Sequence, residues 1–180
     1  MVVYTTVNKL LTVEVKEGIA MTTDEVYLLV AETRCEHGRL ILDDAERAGH
    51  AWTVYLHDAA QPCTFRVPDY HAFQTHAPTL PAAWMVLQTR AERAGHDYDA
   101  DAGALTLPEI AQLLAAEQDA TDVTWLMHAI HRTGRRPTDA DGGITYLIEL
   151  ADPATGEVRT VPSLAVYHQL RHDDAATPVA

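Results

Sequence analysis

Apolar residues follow a different periodicity in each half of the chain. In the first half they alternate with polar residues or form short runs, which is typical of β-strands. Short connections separate these runs: a hairpin turn is predicted at residues 35–38 and a helical turn at residues 43–48. Strands are predicted at residues 26–31, 39–42, 52–56 and 64–67.

The second half has helical periodicity. Thr106-Leu-Pro-Glu109 forms a capping box, so a helix must begin there, and it should bury Ile110, Leu113 and Leu114. A preceding helix is predicted at 83–91, and a following one would begin at Asp119 or Thr121 and end at Gly134. A hairpin of two strands, at residues 144–150 and 158–161, then follows, and a last helix is predicted at residues 162–170.

This order of elements is similar to that of the winged helix-turn-helix family. Glu109-Ile-Ala-x-x-Leu114, followed by Val123, Met127, Ile130 and Gly134, resembles the apolar pattern of that family. The resemblance covers about residues 82–161 and is strongest to DNA-binding domains of replication initiators and regulators from bacterial plasmids and phages. The predicted fold class is therefore α+β, with an N-terminal β-rich domain (1–76), a winged helix-turn-helix domain (77–172) and a disordered tail (173–180).

The resemblance also implies a set of DNA-binding residues. In this family the third helix enters the major groove, and its first turns contact base edges. The residues implied for base contacts are Thr121, Thr124 and His128. Those implied for phosphate contacts are His131, Arg132, Arg135 and Arg136. An alternative for this basic cluster is that positive side chains stabilise a helix C-terminus through its dipole.

The charge of the chain favours a second hypothesis. Its 180 residues carry 26 acidic and 13 basic side chains, a formal net charge of −13. Binding to DNA depends strongly on Lys and Arg that neutralise phosphates, and no segment of this chain is predominantly basic. The first hypothesis is a non-enzymatic DNA-binding regulator or accessory factor of a bacterial mobile element. The second is an acidic protein-binding module or inhibitor that engages a basic, nucleic-acid-binding partner. A third is an enzyme that uses histidines and acids from both halves.

Neither a cofactor nor a metal site is predicted. The ten histidines form no HExxH pattern, and the aspartates at 97–101 are one position out of register with an EF-hand loop ending at Glu109. Apolar runs are too short to span a bilayer, and the N-terminus lacks a secretory signal, so a cytoplasmic protein is expected, with Met1 or Met21 as its first residue. The expected partner is DNA or a basic protein, and a homodimer is compatible with both.

Overall fold

Four helices and seven strands make up the part of the chain that the computed structural model describes, namely residues 21–35, 40–58, 63–76, 79–86, 103–119, 124–135 and 144–175. The helices are α1 (Thr23–Cys35), α2 (Tyr70–His76), α3 (Leu107–Asp119) and α4 (Leu164–Ala175), and a 3-10 turn spans Ala82–Trp84. The strands are β1 (Leu40–Ala48), β2 (Ala51–Asp58), β3 (Cys63–Val67), β4 (Met85–Val86), β5 (Leu126–Arg135), β6 (Ile144–Ala151) and β7 (Val158–Val161).

All seven strands form one antiparallel sheet in the order β4-β3-β2-β1-β5-β6-β7. Strand β2 shows how the sheet is covered, because Trp52, Val54 and Leu56 are buried and the residues between them are half-buried. These inward side chains belong to one hydrophobic cluster with residues of all four helices. The helices therefore cover one face of the sheet, and the predicted α+β class is confirmed.

The structure contains an internal duplication of a helix, three strands and a helix. The first copy runs from α1 to α2, and the second runs from α3 to α4. Both copies begin with the same capping box: the amide of Thr22 donates to Glu25 Oε2 at 2.8 Å, and the amide of Thr106 donates to Glu109 Oε2 at 2.7 Å. A single-residue bridge to the second strand precedes each first helix, Met21 to Trp52 and Leu105 to Tyr146.

The same correspondence continues to the end of each copy. Val67-Pro68 and Val161-Pro162 end the third strands, and the next residue caps the last helix in both copies. Asp69 Oδ1 accepts from the amide of Ala72 at 2.7 Å, and Ser163 Oγ accepts from the amide of Val166 at 3.4 Å. The two copies are therefore the same structural unit.

A pseudo-twofold axis relates the two copies and passes through the pairing of β1 with β5. Ala45 pairs with Ile130 at the centre, and Asp44 with His131 and Glu46 with Ala129 on either side. Ala45 also pairs with Val54, as Ile130 does with Ile148 in the other copy. The pairing of β1 with β5 therefore joins the strands before residue 77 and the strands after it into one sheet.

Three predictions for the first half are wrong. Residues 26–31 belong to helix α1 and not to a strand, because the capping box at Thr22 starts a helix whose Val26, Leu29 and Val30 are fully buried. The hairpin predicted around residues 35–38 is therefore wrong as well, since a helix precedes β1. Residues 43–48 continue β1 and do not form a helical turn. The turn to β2 follows directly at residues 49–50, with Gly49 at φ 63°.

The prediction of a third helix ending at Gly134 is also wrong, because Leu126–Arg135 form the strand β5. Strand pairing on both sides, to β1 and to β6, holds this segment extended. A winged helix-turn-helix requires a helix in this place, so the predicted order of a β-rich domain followed by a winged helix is not confirmed.

Other predictions for the second half are confirmed. Helix α3 begins after Thr106 and buries Ile110, Leu113 and Leu114. Strands β6 and β7 form the expected hairpin, with Gly156 at φ 75° in its turn. The prediction of a helix at 83–91 is wrong for its described part, which is a 3-10 turn followed by the two-residue strand β4, and residues 87–91 lie outside the described part. Helix α4 extends to Ala175 and so contains the first three residues of the predicted disordered tail (173–180).

Candidate functional site

Of the residues implied for DNA binding, His128, His131, Arg132 and Arg135 lie on β5, a central strand of the sheet, instead of an exposed helix. Thr124 is exposed just before β5, and His128 is half-buried at a bulge in that strand. His131 is buried, and Arg132 is half-buried. Arg135 ends β5, and nothing is described of its side chain, while Thr121 and Arg136 lie outside the described residues.

A buried ion-pair cluster surrounds His131 on the face of the sheet opposite the four helices. His131 Nδ1 lies 2.9 Å from Asp44 Oδ1 on β1, and His131 Nε2 lies 3.9 Å from Glu149 Oε1 on β6. The register of β5 places the imidazole between these two strands, since His131 pairs with Asp44 on one side and Leu147 on the other. His131 and Asp44 are only 3% and 1% exposed, so their interaction is shielded from solvent.

This environment fixes the charge of His131. Burial alone would lower the pKa of His131, but the hydrogen bond to Asp44 and the carboxylate of Glu149 outweigh burial and raise that pKa to about 9. The imidazole is therefore protonated at neutral pH and forms an ion pair. A protonated, buried histidine cannot accept a proton from a substrate, so the cluster has the properties of a structural ion pair and not of a general base.

Arg132 forms a second ion pair beside the first. Its Nη2 and Nε lie 2.9 Å and 3.0 Å from Asp43 Oδ1, and Asp43 is only 2% exposed. Asp43 is the extra residue of a β-bulge in β1, which turns its side chain toward Arg132. Burial and the positive charge of Arg132 lower the pKa of the neighbouring His57. Asp43 and Asp44 therefore both hold residues of β5.

Arginines in other parts of the structure are also engaged. Arg47 Nη1 lies 2.6 Å from Glu117 Oε1 and joins β1 to the end of α3. The guanidinium of Arg159 lies 4.6 Å from the ring centroid of Trp125, and its Nε lies 2.8 Å from Glu157 Oε1. These interactions hold the arginines to the protein's own acidic and aromatic groups.

Arg171 completes this set. Its Nη2 donates to the carbonyl oxygen of Trp125 at 2.9 Å, and its Nε donates to Tyr167 Oη at 3.2 Å. Of the five arginines with described side chains, four are thus engaged within the protein, and Arg66 is the remaining one. Fourteen acidic side chains are described against these five arginines. Four of the fourteen acids are buried, which leaves ten acidic side chains and five arginines at least partly exposed, so the described surface has an excess of negative charge.

Two of the exposed carboxylates, Asp24 and Asp119, belong to helix ends that are linked through the contacts of Trp52. Trp52 Nε1 donates to Thr23 Oγ1 at 3.1 Å, and Arg47 lies over the same indole ring while it binds Glu117. These contacts bring the first turn of α1, with Asp24, and the last turn of α3, with Asp119, to the same end of the helix layer. An acidic residue in the last turn of a helix opposes the helix dipole, so Asp119 is not explained by helix stability.

Comparisons with known proteins identify no relative. No protein-family model matches the chain, and neither the curated proteins nor the solved structures give a significant match. Among the described residues, no cluster of three or more His, Cys, Asp or Glu side chains is placed to hold a metal ion. No helix in the described ranges is both long and apolar enough to cross a bilayer.

Sequence reasoning missed the ion-pair cluster and the duplication that creates its setting. His131 and Arg132 were recognised as candidates, but their partners Asp43, Asp44 and Glu149 are distant in sequence and become neighbours only through strand pairing. The signal that could have revealed the duplication is the pair of capping boxes, Thr22 to Glu25 and Thr106 to Glu109, each followed at a distance by a Val-Pro pair that ends the third strand.

Proposed function

We propose that this protein is a non-enzymatic, acidic protein-binding module that engages a basic partner. The observation that carries the proposal is the imbalance of available charge: four of the five described arginines are engaged within the protein, while exposed carboxylates remain. A DNA-binding surface needs the opposite balance, because affinity for DNA grows with the number of phosphates that Lys and Arg neutralise.

The positions of His131 and Arg132 support this choice over DNA binding. The Nε and Nη2 groups of Arg132 are held by Asp43, and this almost fully buried carboxylate neutralises the charge that would attract a phosphate. His131 is itself buried and paired with Asp44, so its charge is not available to a phosphate either.

The exposed acids at the ends of α1 and α3 are the best candidates to contact a basic partner. Asp24 and Asp119 are both exposed, and neither has an ion pair with a described side chain. Glu157 offers a matched control, because it is exposed but already paired with Arg159. Binding should therefore depend on Asp24 and Asp119 more than on Glu157.

Fluorescence anisotropy with two probes tests the proposal. A labelled octalysine peptide should bind at low salt and weaken as salt is added, whereas a labelled DNA duplex should not bind under the same conditions. The double variant Asp24→Asn, Asp119→Asn should bind octalysine about 3- to 20-fold more weakly, with up to about 1 kcal/mol lost per exposed pair, and Glu157→Gln should change binding by less than about twofold. Binding to the duplex in preference to octalysine would contradict the proposal and favour a DNA-binding regulator.

A further inference from the structure

The duplication makes the two outer edges of the sheet directly comparable. Strands β3 and β7 are equivalent, because each ends in Val-Pro and each is the third strand of its copy. The outer edge of β3 is covered by β4, where Thr64 pairs with Val86 and Phe65 with Met85. Strand β7 is the last strand of the sheet, and no described strand pairs with its outer edge.

The backbone of β7 presents hydrogen-bonding groups at this edge. The amide of Asp152 donates to the carbonyl oxygen of Glu157 at 2.9 Å, which makes this pair a hydrogen-bonded pair of the β6–β7 ladder. Hydrogen-bonded and non-hydrogen-bonded pairs alternate in antiparallel strands, so the next pair, Ala151 with Val158, is non-hydrogen-bonded. The same alternation applies to Glu149 with Thr160. The N–H and C=O groups of Val158 and Thr160 therefore point away from β6, toward the outer edge of β7.

One exposed side chain at this edge is large and apolar, and its neighbours Arg159 and Thr160 are polar. Val158 is 47% exposed, the largest value among the exposed large hydrophobic residues of the described chain. The equivalent residue in the first copy, Thr64, pairs with Val86 of β4. The first copy therefore shows what covers such an edge: a short extended segment with apolar side chains.

We propose that the outer edge of β7 binds an extended segment of a basic partner protein by strand addition, antiparallel to Val158–Val161. This inference rests on the proposed function for the charge of the partner, and on the β3–β4 pairing for its conformation. A second copy of this chain fits less well, because two chains with a formal net charge of −13 each repel one another. Main-chain hydrogen bonds would supply the affinity, and the contact with Val158 would supply the preference for an apolar residue.

The covering segment of the first copy provides the probe. A labelled peptide with the sequence of residues 81–86, Pro-Ala-Ala-Trp-Met-Val, is made with two lysines at each end, and a second version has serines in place of the lysines. By the equivalence of Thr64 and Val158, the valine of the peptide should pair with Val158. Its amide would then donate to the Val158 carbonyl oxygen, while the amide of the peptide methionine would point away from β7.

Two changes remove this pairing without altering side-chain charge. Methylation of the peptide valine nitrogen should weaken binding about tenfold or more, whereas methylation of the methionine nitrogen should change it by less than about twofold. In the protein, Thr160→Pro removes an N–H that β6 does not use, so the hairpin is retained while edge pairing is blocked. Thr160→Val, which keeps the backbone amide, is the matched control and should bind as the parent does.

The combined measurements separate the two proposals. We expect the lysine-flanked peptide to bind more tightly than the serine-flanked version. We also expect Thr160→Pro to weaken the binding of both. If the two peptides bind equally well and Thr160→Pro still weakens both, the proposal of a basic partner is contradicted, whereas strand addition at β7 is supported. Binding that is unchanged by Thr160→Pro and by valine N-methylation, or no binding of either peptide, would overturn strand addition at β7. If Thr160→Pro does not fold, the two N-methylated peptides decide the question with the parent protein alone.

Discussion

The ion pair of His131 makes the stability of the protein depend on pH in a defined direction. The pKa of His131 is raised from 6.5 to about 9 in the folded protein. A raised folded-state pKa means that the folded state binds the proton more tightly than the unfolded state does. The contribution to stability is therefore fully present below about pH 6.5 and is lost as pH rises through about 9.

The size of the effect follows from the same shift. Each pKa unit corresponds to about 1.4 kcal/mol, so the shift of His131 from 6.5 to about 9 gives a contribution of about 3 kcal/mol. His131 is only 3% exposed, which leaves little solvent screening to reduce this value. A contribution of this size is a large fraction of the stability of a typical domain.

Urea unfolding measured by tryptophan fluorescence at pH 6 and pH 9.5 tests this prediction. The parent protein should lose about 3 kcal/mol of unfolding free energy between these values, beyond the change seen in His131→Gln, which cannot gain the proton. Asp44→Asn should lose most of the same dependence, because it removes the closest carboxylate. An equal fall in stability for the parent and for His131→Gln would refute the assignment of this pH dependence to the ion pair.

Three further predictions concern stability at neutral pH. Thr106→Ala should lower the unfolding free energy by about 1 kcal/mol in a thermal melt, because it removes the capping hydroxyl of α3, and an unchanged melting temperature would contradict the capping box. Gly103→Ala should lower it by about 1–3 kcal/mol, since the new Cβ would meet the Tyr146 carbonyl group and lie 2.7 Å from Thr133 Oγ1, and a stable variant would show that this segment can move aside. The double variant Asp44→Leu, His131→Met should regain most of the about 3–5 kcal/mol lost in either single variant, and additive losses would contradict a coupled pair.

The capping box and the β6–β7 hairpin could be predicted from sequence because both depend on local chemistry. Thr106 and Glu109 satisfy exposed amides within a few residues, and the turn before β7 is stabilised by Asp152. Asp152 Oδ2 accepts from Thr155 Oγ1, and Asp152 Oδ1 accepts from the amide of Ala154, which together lower the pKa of Asp152. Such features form the same bonds in any tertiary context, so they can be predicted without knowledge of the sheet.

The strand β5 was mistaken for a helix because β-bulges change the spacing of its apolar residues. In a regular strand the residues that face the core are two apart, but a bulge between Met127 and Ala129 inserts one residue. Met127 and Ile130 both belong to the core cluster and are three apart, a spacing typical of a helix. The bulge between Leu42 and Asp44 has the same effect in β1, where Leu42 and Ala45 both face the core. The ion-pair cluster could not be predicted, because its partners meet only after these strands are correctly paired.

The duplication also indicates which features the fold requires and which it does not. Equivalent positions that carry the same chemistry in both copies, such as the two capping boxes, satisfy needs of the shared unit. Equivalent positions that carry different chemistry in the two copies are not constrained by the shared unit. Asp44 pairs with His131 on one side of the pseudo-twofold axis, whereas Glu46 pairs with Ala129 on the other, so a histidine–aspartate pair is not needed to join the two copies. The edges differ in the same way, with β3 covered by Met85 and Val86 and no described strand on β7. The first copy shows that the chain can cover such an edge with two apolar residues, and the exposed Val158 is the feature of β7 for which the proposed strand addition accounts.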